Sequence, residues 1–156
     1  MDKLDFIYDF ATNNDVSVIN REFSPTKKAA CLHIKPLKLI VLDKSKIETR
    51  VEEGEILAEE MGHYETGGLY IIESTFNSPV ARNNRIKYEA QARHWAYRAY
   101  LSVLEIEEAV KKESPEEWAI AELCQVTVDF LRKAIEYHRS CGAVFSFDEE
   151  GSHEGI

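Results

Sequence analysis

The chain has 156 residues, 44% of them apolar and 10% aromatic, which suits one compact domain with a hydrophobic core and excludes wholesale disorder. Its 28 Asp and Glu outnumber 19 Lys and Arg. The net charge of −9 repels a phosphate backbone, so nucleic-acid binding would need a strong local basic patch.

The first predicted element is a short helix over residues 3–13, where Leu4, Ile7, Tyr8 and Ala11 fall at helical spacing. ACLHIK and LKLIVLD, between residues 30 and 43, are short runs rich in β-formers and read as strands. Pro36 between them marks a turn or a sheet edge. Ser45-Lys46-Ile47-Glu48 has the S-x-x-E capping pattern and predicts a helix start. From there Ile47, Val51, Gly54, Leu57, Ala58 and Met61 form one apolar stripe, and Gly67-Gly68 ends the helix. GLYIIES then reads as another strand.

A second long helix is predicted from about Arg82 to Leu101. Its Ala92, Ala96 and Ala99 share a face with Glu89, and small side chains there let another helix come close. Ser114-Pro115-Glu116-Glu117 is a helix start with Ser as cap, Pro at the first position and acids in the first turn. After a break near Gln125-Val126, Thr127 caps a last helix that runs to about Ser140 and stops at Cys141-Gly142. The expected fold class is α+β: a small, mainly antiparallel sheet on the first long helix, with the second long helix and a C-terminal helical pair over 114–140. Residues 1–145 are expected to form one domain, and the acidic end, 146–156, a mobile tail.

Chemistry concentrates in LAEEMGHYETGG, residues 57–68. Glu59-Glu60-Met61-Gly62-His63 has the layout of the zinc-peptidase helix H-E-x-x-H, with Glu in place of the first His. Glu59 and His63 are four apart, so both lie on one helix face within reach of one ion. Zinc accepts carboxylate oxygen at ~2.0–2.2 Å, so Glu keeps a ligand there while changing its charge and softness. Glu89 on the small-faced second helix is the candidate third ligand, and Glu60 the candidate base that takes a proton from water. Tyr64, His94 and Tyr97 are candidates for supporting roles. The bland alternative is that E-E-x-x-H is an acidic surface helix that happens to hold a His, and that Glu89 is a solvated carboxylate.

Ala58-Glu59-Glu60-Met61-Gly62-His63-Tyr64, followed by Glu89-Ala90-Gln91-Ala92-Arg93-His94-Trp95-Ala96, resembles the ImmA/IrrE-type metallopeptidase family of phage and integrative-element proteins. Phage-type members carry A-E-E-L-G-H-Y on one helix and E-x-x-A-x-x-W/F-A on the next. Ile40–Lys44 fits the family's strand, and Trp118–Tyr137 resembles its C-terminal helical part. The resemblance spans roughly residues 30–140. It implies Glu59, His63 and Glu89 as metal ligands, Glu60 as general base, and a hydrolase that cleaves a repressor keeping a mobile element silent. It implies zinc, while the extra carboxylate hardens the site towards Mn or Fe and leaves the ion less electrophilic. The rival expectation is a non-catalytic relative that binds a repressor or a toxin–antitoxin component.

Ile120–Arg132 also has a helix-turn-helix rhythm, with Arg132, Lys133 and Arg139 on its last helix. An antiparallel helical pair packing on the core is the favoured account, with a protein-docking surface as an intermediate one, and the net charge opposes DNA. Cys31, Cys124 and Cys141 are odd in number and make no C-x-x-C pair, so they read as buried or incidental thiols. His33 reads as a strand-face residue, His138 and His153 as surface residues, and Glu52-Glu53-Glu55 as a solvated face. Trp95, Tyr97 and Tyr100 read as core or interface aromatics. The acidic opening MDKLDFIYDF is unlike a signal peptide, and no run approaches the ~18 apolar residues of a membrane span. A cytoplasmic protein is expected.

Overall fold

A computed structural model describes residues 2–34, 36–67, 79–112 and 116–150. The chain is α+β, with seven α-helices and one three-stranded sheet among the described residues. No described helix is long and apolar enough to cross a membrane. The chain divides into two compact units, Met1–Ala96 and Tyr97–Ile156.

The first unit opens with α1 (Lys3–Asn13), whose cap Asp2 accepts hydrogen bonds from the backbone N–H groups of Leu4 and Asp5. Leu4, Ile7 and Ala11 are buried, as their spacing predicts. Three strands follow: β1 (Val16–Asn20), β2 (Ala29–Ile34) and β3 (Leu37–Leu42). The sheet order is β1-β3-β2. β3 runs antiparallel to β2, with Cys31 opposite Ile40, and parallel to β1, with Val18 opposite Ile40. The sheet is therefore mixed and not mainly antiparallel. The difference is β1, whose VSVIN buries only Val16 fully and so shows no clean alternation in the sequence. β3 is the central strand, and its buried run Ile40, Val41, Leu42 is what a strand paired on both sides requires.

α2 (Arg50–Glu65) carries the E-E-M-G-H motif. It starts later than the S-x-x-E pattern predicts. Ser45 is held by the buried Asp43, whose carboxylate accepts from the Ser45 backbone N–H at 3.2 Å and hydroxyl at 2.5 Å and also pairs with Lys46. Residues 44–46 consequently form a single 3-10 turn. The working cap is Thr49, which accepts from the Glu52 N–H at 3.0 Å, while the Glu52 carboxylate accepts from the Glu48 N–H at 2.8 Å. Replacing Thr49 with Ala is expected to cost about 1 kcal/mol in urea unfolding. Ile47 precedes the helix and is half-buried, whereas Gly54, Leu57, Ala58 and Met61 are buried as expected. Glu53 is buried as well, which corrects its reading as part of a solvated face. Its Oε1 accepts from the Tyr8 hydroxyl at 2.6 Å and pairs with Lys44 at 2.9 Å.

The predicted strand GLYIIES, the stop residue Gly68, Ser114-Pro115 and His153 lie outside the described residues. α3 (Pro79–Tyr100) closes the first unit with Ala92, Trp95 and Ala96 buried, and Phe10 packs on Trp95 with ring centroids 5.4 Å apart. Ala99, read as a member of the small face, is exposed.

The second unit holds the end of α3 with α4 (Val103–Lys112), α5 (Glu117–Leu123), α6 (Val128–Ser140) and α7 (Ser146–Glu150). Phe130 centres its core, edge-on to Tyr97 at 5.2 Å and to Tyr100 at 5.9 Å. Thr127 caps α6 through the Phe130 N–H at 3.1 Å, and Gly142 ends it at φ 94, both where the sequence places them. α4 is an addition to the sequence reading. Its start is a reciprocal S-x-x-E cap between Ser102 and Glu105, with bonds of 2.8 and 3.2 Å. His138 is buried, with Nε2 2.7 Å from the Leu101 carbonyl, and is not a surface residue. The first five residues of the expected tail form α7, with Asp148 paired to Arg139 and the Ser146 N–H donating to Glu107 at 2.7 Å.

Candidate functional site

The site lies in the first unit, where α2 and α3 meet. Their approach is set by one glycine. A Cβ on Gly62 would stand 2.3 Å from the Ala92 carbonyl oxygen, inside any permitted contact, so only Gly fits. This bears out the expected close approach at Ala92 and brings the polar rows of the two helices together. Glu59 and His63 lie one turn apart on α2, as do Glu89 and Arg93 on α3.

His63 is buried, and its Nε2 stands 3.5 Å from Glu89 Oε2. Its other ring nitrogen, Nδ1, is buried with no hydrogen-bond partner. Glu59 Oε1 stands 3.8 Å from Arg93 Nη1, with both side chains partly exposed. Glu60 is half-buried. The charges around His63 act on one another. The nearby His63 imidazole holds the Glu89 carboxyl below its usual range, against partial burial and with help from Arg93 and Lys27 charge. Burial alone would lower His63, but Glu89, Glu60 and Glu59 outweigh it and raise its pKa. Burial raises Glu60, with the Glu59 and Glu89 charges adding to it and His63 and Cys31 opposing.

Two backbone-level supports steady this corner. Cys31 on β2 is buried, and burial, with the Glu60 charge adding to it, pushes its thiol well above the usual range, so it stays protonated. Tyr64 follows His63 and ties α2 to the hairpin. Its hydroxyl accepts from the Leu39 N–H at 2.8 Å and reaches the carbonyls of Leu39, at 2.9 Å, and Leu32. Burial pushes the Tyr64 phenol up to about 12, so it remains a donor at neutral pH. Leu32 and Leu39 are direct partners across the β2–β3 ladder, so one hydroxyl bridges both strands. Tyr64→Phe is expected to cost about 1–2 kcal/mol, read by urea unfolding.

Of the other candidates, His33 lies edge-on to Tyr64 with centroids 6.5 Å apart. His94 is exposed, and Tyr97 belongs to the aromatic core of the second unit. Sequence reasoning gave no site role to Arg93 or Gly62, and read Cys31 only as a buried or incidental thiol. Arg93 was visible as the residue one turn beyond Glu89, while Cys31 needed the strand pairing and Gly62 the helix contact.

The donors fit a divalent ion as a pair. Two atoms each ~2.0–2.1 Å from one tetrahedral ion stand about 3.4 Å apart. The 3.5 Å between His63 Nε2 and Glu89 Oε2 matches that spacing and is long for a hydrogen bond. The third donor is not supplied in this arrangement, because Glu59 faces Arg93. Among the described residues, no group of three or more His, Cys, Asp and Glu is placed to hold a metal ion. No protein-family model, curated protein or solved structure matches the chain.

Proposed function

We propose that the protein is a metal-dependent peptidase that cleaves a repressor-like protein at a specific bond. The observation that carries this reading is the 3.5 Å meeting of His63 Nε2 and Glu89 Oε2 across two helices pressed together at Gly62, with Glu60 beside them. The likeness of Ala58–Tyr64 and Glu89–Ala96 to the ImmA/IrrE motifs supports it. His63, Glu89 and, after leaving Arg93, Glu59 would hold the ion, zinc first and Mn or Fe as the harder options. Bound there, a divalent ion polarises a carbonyl and acidifies water. Glu60 takes the proton of the attacking water and returns it to the leaving amine, a task suited to a carboxyl whose pKa burial has raised. Tyr64, engaged by main chain, holds the helix to the hairpin.

The Glu59–Arg93 pair favours a second reading, a non-catalytic relative that binds a repressor or antitoxin partner through the same surface. One experiment separates the two. Purified protein is supplied with Zn, Mn or Fe(II) and mixed with any DNA-binding repressor encoded beside its gene, and products are read by mass spectrometry. A single new pair of termini supports the peptidase. A stable complex with intact repressor supports the binder.

The DNA-binding reading of α5–α6 has less behind it. Arg132 is bonded to Glu117, Lys133 to Asp129 and Arg139 to Asp148, so each cation already has an internal carboxylate. A mobility shift at low salt would be needed to revive it.

A further inference from the structure

α3 departs from the charge of the chain that contains it. The chain holds 28 acidic residues against 19 basic ones, whereas α3 holds Arg82, Arg85, Lys87, Arg93 and Arg98 against Glu89 alone. Arg82, Arg85 and Lys87 fall in its first half and are exposed. None of the three meets a carboxylate among the described residues. Lys28, Lys44, Lys46, Arg50, Arg132 and Arg139 each do. Arg82 stands in the first turn of α3, where the helix dipole disfavours a cation, and that turn holds no acid to offset it. Stability of the helix therefore does not account for the placement. Two apolar side chains stand among these cations, Val80 at 69% exposure and Ile86 at 61%. Arg82, Arg85 and Glu89 follow at steps of three and four residues, so the basic row leads down one helix face to Glu89.

We propose that the first half of α3 is a docking surface for an acidic segment of a protein partner, one with apolar residues between its carboxylates. Charge complementarity selects the acid, because the three cations have no internal counter-charge to give up. Val80 and Ile86 select protein over nucleic acid. Aliphatic side chains of a peptide cover them, whereas a phosphate backbone leaves them in water. The net charge of −9 also repels a long polyanion. A short acidic segment meets mainly the local field, since exposed charges beyond about 8 Å are screened at physiological salt. The surface uses no ion and no reaction, so it stands or falls apart from the peptidase reading.

The test is fluorescence anisotropy of the full chain with three labelled probes: a short peptide of Glu and Leu, the same peptide with Ser for Leu, and a DNA duplex. Wild type should bind the Glu–Leu peptide best, the Glu–Ser peptide less and the duplex least. The triple variant Arg82→Gln, Arg85→Gln, Lys87→Gln keeps good helix formers, and circular dichroism checks its fold. It should bind the Glu–Leu peptide on the order of tenfold more weakly at 0.15 M salt, the sum of three exposed charge pairs. The double variant Val80→Ser, Ile86→Ser should lose the preference for Leu over Ser. Arg132→Gln with Arg139→Gln should change little, because those cations already serve Glu117 and Asp148. No binding of the Glu–Leu peptide at low salt overturns the proposal. So does binding that the triple variant leaves intact, or that the Arg132 and Arg139 changes weaken as much, which would be a general charge effect. A duplex bound more tightly than the peptide overturns it too and assigns the patch to nucleic acid.

Discussion

Gly62→Ala is expected to destabilise the protein by about 3 kcal/mol or more, near the upper end of overpacking effects. The added methyl would meet the Ala92 carbonyl oxygen at 2.3 Å, with its carbon and Cα at 2.9 Å. Those atoms are helix backbone and cannot turn aside as a side-chain tip would. α2 and α3 must therefore separate. The wedge enters between Glu60 and His63, so separation lengthens the His63–Glu89 distance directly. Zinc affinity should fall with stability, and urea unfolding with parallel zinc titration reads both. Gly67→Ala is the control. Gly67 has φ 72 but nothing within 4 Å of an added Cβ, so only left-handed strain of about 1–2 kcal/mol is expected. Equal losses at the two glycines would show that helix spacing is not what Gly62 protects.

The second large effect is on turnover. Glu60→Gln is expected to lower repressor cleavage by roughly 10²–10⁴-fold, the range of a lost general base, without unfolding the chain. Stability should move the opposite way at neutral pH. Glu60 has a raised pKa, chiefly through burial. Between the unfolded carboxyl range and that raised value the folded state binds more protons than the unfolded state. Stability therefore falls as pH rises through this window, and the whole penalty of an ionised buried Glu60 is present above it. Gln carries no such penalty, so the variant should gain stability over wild type above the window and lose that advantage below it. A variant that still cleaves at the wild-type rate would remove Glu60 from the chemistry.

How far these features were legible in the sequence depended on how local their causes are. α6 was readable to the residue because Thr127 and Gly142 act within a turn of themselves. α4 carries an equally local signal, Ser102-Val103-Leu104-Glu105, and could have been read the same way. The start of α2 was not local. Ser45 and Thr49 both head plausible caps, and the buried Asp43 decides between them by occupying Ser45. β1 was hidden because its partner lies beyond β2 in the chain and its own burial is slight. The burial of Glu53 depended on Tyr8, 45 residues away. At the site, spacing alone places Glu59 with His63 on one helix face and raises Glu89 as a partner. It could not show that Arg93 would face Glu59, because that needs the crossing of two helices.

The Tyr64 hydroxyl has a bearing on how this protein folds. Its partners, Leu32 and Leu39, oppose each other only in the native pairing of β2 with β3. A hairpin slipped by one residue would turn every side chain to the other side of the sheet and carry Cys31 away from Glu60. Such a hairpin would offer the phenol no matched pair of main-chain groups, so the motif helix would find nothing to latch onto. The end of α2 thus acts as a gauge of strand alignment.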